Sequence, residues 1–349
     1  VQGLQRTWLV AAQIQAPALA EGERDRMSQP QDIALRDKGE LLLARLIYGW
    51  ERLRNKPVRD YVAKSFELIE IPLATGAKPA PNTRSIPRII WAFWTGASKP
   101  ELIERCFANW HRMCPQFDIR ILDEDSVLQY LDAIPPSLQQ ASAPKRADWV
   151  RAELLKRHGG IWLDASTILT TSLDWVIDEQ ARTQSDYVGF YLEQFTADAA
   201  YPVIENWFMA APPGSPFIVD LQDEFTTRVV PGSNEAYIDK LREEGVYDQL
   251  RQRIFSPEYL TMHLAIQYVM RKRGGYRLAL ARAEDGPFYY HVAARWSRGL
   301  LKVQLMMRPR APVMPPMVKL RKPDRKRLDL YTQRRLVRPD SILGHYLGL

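Results

Sequence analysis

The 349-residue chain is 46% hydrophobic and carries 48 Lys and Arg against 41 Asp and Glu, a net charge of +7 with a pI near 9.3. That content can bury a large core, and the basic balance suits an anionic partner: a phosphorylated substrate, nucleic acid or acidic lipid. Two cysteines, Cys106 and Cys114, exclude a disulfide framework and match no common zinc spacing, and no stretch reaches the roughly 20 apolar residues of a membrane span.

Residues 1–85 look like a helical extension with a linker. Leu41, Leu42, Ala44, Leu46, Ile47 and Trp50 give an amphipathic helix over 38–55, and a second helix is expected over 59–68. The Gly-, Pro- and Asn-containing run 75–83 reads as a linker, so the domain boundary is placed at 85/86. Ile89 to Trp94 is a continuous apolar run, the mark of a central parallel strand. A helix over 100–113 and a strand over 118–123 complete one βαβ unit. Asp123, at that strand's end, reads first as a turn residue and second as a nucleotide contact.

The organising stretch is 145–169, KRADWVRAELLKRHGGIWLDASTIL. On a helix, Ala147, Val150 and Leu154 form one apolar stripe, and Asp148 and Arg151 sit together beside it. Gly159-Gly160 stops the helix; Ile161-Trp162-Leu163 is a short buried strand ending in Asp164. In open α/β sheets, ligands bind at that carboxyl end. Beyond it, 187–192 is another apolar strand, 205–217 a strand and Pro-Gly turn, and 217–230 a helix capped by Ser215. A helix over 256–273 carries His263, and 284–291 suggests a small second strand region. The tail turns basic from Lys319 through Arg321, Lys322, Arg325, Lys326 and Arg327 to Arg334, Arg335 and Arg338, a run read mainly as a solvated face.

The pattern D-x-x-R-x-x-x-L-x-x-x-G-G-I-W-x-D-x-S, from Asp148 to Ser166, resembles the signature of the capsular polysaccharide synthesis proteins, relatives of the sugar-transferases with an Asp-x-Asp motif. The resemblance covers about residues 86–349. It implies an α/β fold of the GT-A nucleotide-sugar type, with a domain over 86–349 whose basic tail closes over the donor. It further implies transfer of a sugar from a nucleoside-diphosphate donor, a uridine one first, to a bacterial surface polysaccharide or other glycan acceptor, lipid-linked glycans included, with retention of configuration. Trp94 then stacks on the base, with Trp91 second; Asp148 and Arg151 hold the donor sugar or diphosphate; Lys319 meets the diphosphate. Asn206, and more weakly His263, face the acceptor.

Breaking a bond to a diphosphate builds negative charge on the leaving group, which a divalent metal, arginine or lysine must meet. Mn²⁺ or Mg²⁺ is expected on Asp164, with Ser166 standing where a strict Asp-x-Asp motif has its second carboxylate. Asp148, Arg151 and Asp164 are the expected catalytic set. Two other readings compete. A basic nucleic-acid-binding protein has the charge but none of the usual motifs, so no nucleic-acid partner is expected. A degenerate relative would bind glycan or nucleotide without turnover. A cytoplasmic location is expected, with the basic surface leaving peripheral contact with a membrane open.

Overall fold

The computed structural model describes residues 35–54, 60–96 and 98–349. Residues 41–349 form one unit; residues 1–40 form another, of which 35–40 open helix α1 (Leu35–Leu53). The framework is a mixed seven-stranded sheet in the order β1-β8-β6-β7-β4-β2-β3. Its strands are β1 (Glu67–Ile71), β2 (Ile89–Phe93), β3 (Asp118–Leu122), β4 (Gly160–Leu163), β6 (Tyr187–Tyr191), β7 (Ile204–Ala211) and β8 (Tyr276–Arg282). A separate two-stranded sheet pairs β5 (Thr167–Leu169) with β9 (Met317–Lys319). The α/β class expected from the sequence is thus the class adopted.

The apolar run at 89–94 does form a central strand, parallel to both β3 and β4. Phe93 lies opposite Leu122, and Trp91 opposite Trp162, so the chain leaves β2, β3 and β4 at one sheet edge, past Phe93, Leu122 and Leu163. β7 runs antiparallel to β4, with Leu163 opposite Phe208, which brings the start of β7 to that same edge. Helix α2 (Glu101–Met113) returns the chain from β2 to β3, and helix α3 (Ala143–His158) precedes β4.

The α3–β4 junction follows the sequence reading closely. Gly159 takes φ +64° at the helix end, its N–H donating to Leu155 O at 2.9 Å, and Gly160 takes φ +101°. Both are conformations that a Cβ disfavours. Val150 and Leu154 are fully buried, as the stripe predicted. Ser215 caps helix α5 (Pro216–Glu224), its Oγ accepting from Ile218 N, and a wider turn at Phe225–Val229 continues it. Helix α8 (Thr261–Lys272) begins later than the sequence suggested. Both cysteines are free and buried.

Three expectations fail here. No helix forms over 60–68: β1 occupies Glu67–Ile71 and pairs antiparallel with β8, Ile69 opposite Leu278; position 59 lies outside the described residues. Glu67 and Glu70 are three apart, a helical spacing, but pairing with β8 at the sheet edge makes this segment a strand. The boundary at 85/86 therefore separates β1 from the sheet it belongs to. The strand region expected near 284–291 is instead a short helix, Tyr289–Ala293.

The small sheet is bolted to α2. Asn109, fully buried, donates from Nδ2 to Leu169 O (3.0 Å) and Tyr346 O (3.2 Å) and accepts from Leu169 N (2.8 Å). Trp110 Nε1 donates to Thr167 O at 2.8 Å. A second apolar cluster, including Ile168, Val318, Leu320, Tyr331 and Leu343, fills the space between these strands and the C-terminal helix Ile342–Leu347. Among the described residues, no helix is long and apolar enough to cross a membrane.

A Cβ at Gly160 would lie 2.8 Å from Ile89 O and 2.9 Å from Trp91 Nε1. Gly160→Ala is therefore expected to cost about 2–3 kcal/mol of stability, read as a lowered urea midpoint. An unchanged midpoint would show that the junction is not the strained point described.

Candidate active site

At the carboxyl end of β4 five polar side chains meet. Helix geometry puts Asp148 and Arg151 one turn apart, Arg151 Nη1 lying 3.2 Å from Asp148 Oδ1. Arg151 Nη1 also donates to Asn206 O at 2.6 Å, and Nη2 lies 3.4 Å from Asp164 Oδ1. Asn206 Nδ2 donates back to Asp148 Oδ1 at 3.0 Å. Trp162, two residues before Asp164 on one strand face, donates from Nε1 to Asp164 Oδ1 at 3.1 Å and lies under the Arg151 guanidinium at 4.9 Å. Asp148 Oδ2 has no hydrogen-bond partner among the described residues.

The fifth group arrives from far along the chain. Register in the small sheet sets Lys319 opposite Thr167, and its Nζ reaches Asp164 Oδ2 at 2.9 Å and Ser166 Oγ at 3.2 Å. Ser166 Oγ donates in turn to Leu320 O at 2.8 Å. The ammonium sits 5.5 Å from the Trp207 ring centroid.

Burial dominates the titration of these groups. It raises Asp148 to about 6, against the opposing pull of Arg151. For Asp164 burial also pushes upward, but Lys319 and Arg151 outweigh it and hold the carboxyl below its ordinary value. Burial lowers Lys319, opposed by Asp164. The site therefore holds one firmly ionised carboxylate and one whose charge depends on pH near 6.

Other expected residues fall elsewhere. Trp91 is fully buried: Nε1 donates to Gly159 O at 2.8 Å, Tyr130 packs edge-on and Arg120 covers it, leaving no face for a base. The correction is one of register, because side chains alternate along β2 and Trp91 faces the core between α3 and β3. Trp94 is half-buried at the carboxyl end of β2, its Nε1 donating to Ser98 O at 3.3 Å. Asp123 caps its own turn, Oδ1 accepting from Ser126 N (2.8 Å) and Ser126 Oγ (2.6 Å), in line with the turn reading. His263 is 2% exposed on α8; burial, with Arg151 adding to it, lowers it to about 3, so it is a neutral ring with an unpartnered Nδ1 rather than an acceptor-facing group. Asn206 is tied to Asp148 and Arg151.

Sequence reasoning passed over two neighbours. Glu205, 7% exposed, is raised to about 8 by burial, and Glu284 and Asp164 add to the rise against Lys319. An acid inside an otherwise apolar strand was the available signal. Tyr259, 66% exposed, interacts electrostatically with Asp148, Asp164 and Arg151 and so stands at the rim; a lone loop tyrosine gave no signal.

As arranged, Asp164 and Ser166 do not fit a divalent cation. Each oxygen pointing between them already meets the Lys319 ammonium, and Asp164 Oδ1 is engaged by Trp162 and Arg151. Among the described residues no group of three or more His, Cys, Asp or Glu could hold a metal ion.

The family described as capsular polysaccharide synthesis protein matches residues 48–277, a range that holds Asp148, Arg151, Asp164, Ser166 and Asn206 but ends before Lys319. Among curated proteins, the O-glycosyltransferase braB of Annulohypoxylon truncatum is 30% identical over 152 residues, 37% of this chain and 34% of its own length. The O-glycosyltransferase PaGT of Phomopsis amygdali is 26% identical over 169 residues, 44% of this chain and 41% of its own. The chain thus spans less than half the length of either relative. The solved glycosyltransferase GlyE of Streptococcus pneumoniae TIGR4 superposes with a TM-score of 0.35 at 12% identity, over 76% of this chain and 64% of that one, too distant to inform the site.

The raised Asp148 has a consequence for stability. A carboxyl whose folded value lies above its unfolded one contributes stability that is complete below about pH 4 and is lost as pH rises through about 6. Asp148→Asn removes that loss, so its melting temperature relative to wild type is expected to climb between pH 4.5 and pH 7. A constant difference across that range would show that Asp148 titrates normally.

Proposed function

Since the chain belongs to the capsular polysaccharide synthesis protein family, we propose that it transfers a sugar from a nucleoside-diphosphate donor, a uridine one first, to a glycan acceptor. The observation that carries this reading is the cluster of Asp148, Arg151, Asp164, Asn206 and Lys319 at one strand-end edge of the sheet. Both relatives named above are O-glycosyltransferases, which supports the reaction class.

The chemistry follows from where the charges stand. Departure of the diphosphate concentrates negative charge, and Lys319 and Arg151 are buried cations fixed at the strand end, available to meet it. They need no reorganisation during the step, because Asp164, Trp162 and Asn206 hold them in place. Asp148 Oδ2 is free to accept from a donor-sugar hydroxyl, with Asn206 setting the carboxylate's orientation through Oδ1. Trp94, at the end of β2, is the base-stacking group of this reading. Retention is the stereochemical outcome proposed with it, and a surface polysaccharide or lipid-linked glycan is the acceptor class.

The nucleic-acid reading loses ground to the fate of the basic tail. Lys319 pairs with Asp164, Arg321 with Asp324 and Arg338 with Asp340, so part of that charge is internally matched.

The test is a thermal-shift screen of nucleoside diphosphates followed by turnover of the matching sugar donor. One nucleotide is expected to raise the melting temperature in proportion to the logarithm of its concentration over Kd. Asp164→Ala is expected to abolish turnover of the sugar donor while remaining folded. Binding without turnover in wild type would support the non-catalytic relative. No nucleotide shift at all would sink the donor reading.

A further inference from the structure

The position a divalent cation would take between Asp164 and Ser166 is filled by a lysine. Lys319 Nζ lies 2.9 Å from Asp164 Oδ2 and 3.2 Å from Ser166 Oγ, and Ser166 presents a lone pair because its own proton goes to Leu320 O. Lys319 is held there by β9, whose partner β5 is fixed to α2 through Asn109 and Trp110. A long flexible side chain at a surface could step aside for a metal. This one is 6% exposed, on a paired strand in a filled core.

A second cation lies close by. Arg325 ends a short helix, Lys322–Arg325, that follows β9 directly. Its side chain has no hydrogen-bond or ion-pair partner among the described residues, and its Nε is buried without one. It interacts electrostatically with Lys319 and with Tyr259 at the rim, and both also sense Arg151. The helix is anchored beneath it: Asp324, 2% exposed, accepts from Arg321 N and Arg321 Nε at 2.9 Å and meets His291 Nε2 at 2.9 Å. Arg325 is half-buried, and a partly desolvated guanidinium without a carboxylate is costly unless an anion completes it.

We propose that Lys319 and Arg325 together bind the donor's diphosphate in place of a divalent metal, so that nucleotide binding is metal-independent. This rests on the nucleotide-sugar reading above and adds Arg325 as a further cation and the independence from metal. Both residues lie beyond the family-matched range 48–277, in the C-terminal strap. Lys319 keeps its bond to Asp164 and offers its remaining donor directions to phosphate oxygens, while Arg325 brings a planar fork suited to two of them.

The experiment is isothermal titration of the full chain with uridine diphosphate, or whichever nucleoside diphosphate gave the thermal shift, in EDTA and then in Mn²⁺. Wild type is expected to bind with the same Kd in both. Arg325→Met and Lys319→Met are each expected to weaken the diphosphate by about 10-fold or more, the worth of a charge-assisted hydrogen bond, without changing affinity for the bare nucleoside. Arg325→Met keeps the test valid if Lys319→Met misfolds, since Arg325 supports no ion pair. Binding that vanishes in EDTA and returns with Mn²⁺ would overturn the proposal and leave the donor reading standing. Undiminished diphosphate affinity in Arg325→Met would also overturn it. No nucleotide binding in either condition would remove the donor reading and this proposal with it.

Discussion

The buried pairing of Lys319 with Asp164 is the constraint on which this structure depends. The two residues are 155 apart in sequence; the buried Lys319 ammonium has Asp164 as its carboxylate partner, while the half-buried Asp164 also meets Arg151. Removing Asp164 would leave the buried Lys319 ammonium without its carboxylate partner. The pair therefore ties the C-terminal strap to the end of β4. It also holds the Asp164 carboxyl below its ordinary value, since Lys319 and Arg151 outweigh the burial that would otherwise raise it.

Everything that positions this pair is local rigidity passed from element to element. Asn109 and Trp110 on α2 hold β5; β5 holds β9 by register; β9 delivers Lys319. From the other side, α3 ends at two glycines that turn the chain directly into β4, so Arg151 and Asp164 are separated by a turn that only glycine fits. The two routes converge without a flexible loop between a functional side chain and its scaffold. Such preorganisation is what electrostatic stabilisation of a leaving group requires.

Some of the site was legible in the sequence because it is local. Asp148 and Arg151 share a helix turn, Trp162 and Asp164 share a strand face, and the glycine pair marks the stop between them; each rests on a backbone period. Trp91 shows where periodicity misleads. An unbroken apolar run announces a buried strand but not which of its two faces meets the ligand, and the register against β3 and β4 turned Trp91 into the core. Residues 67–71 failed for a related reason: Glu67 and Glu70, three apart, follow a helical spacing, and only pairing with β8 makes the segment a strand.

The sequence by itself determined the α/β class, the helix–glycine–strand unit from Asp148 to Asp164, and the chemistry that those residue types support. Those features depend on neighbours within a few positions, where dihedral preference and side-chain period act directly. Only the tertiary structure decided that Lys319 fills the space between Asp164 and Ser166, that Arg325 stands beside it without a carboxylate, and that Glu205 is buried deeply enough to stay protonated near neutrality. In the linear chain Arg325 is one member of a basic run with nothing to mark it out, and Lys319 stands out only through the family resemblance. Burial and pairing depend on which distant segments pack together, and that is set by the closing of the small sheet over α2.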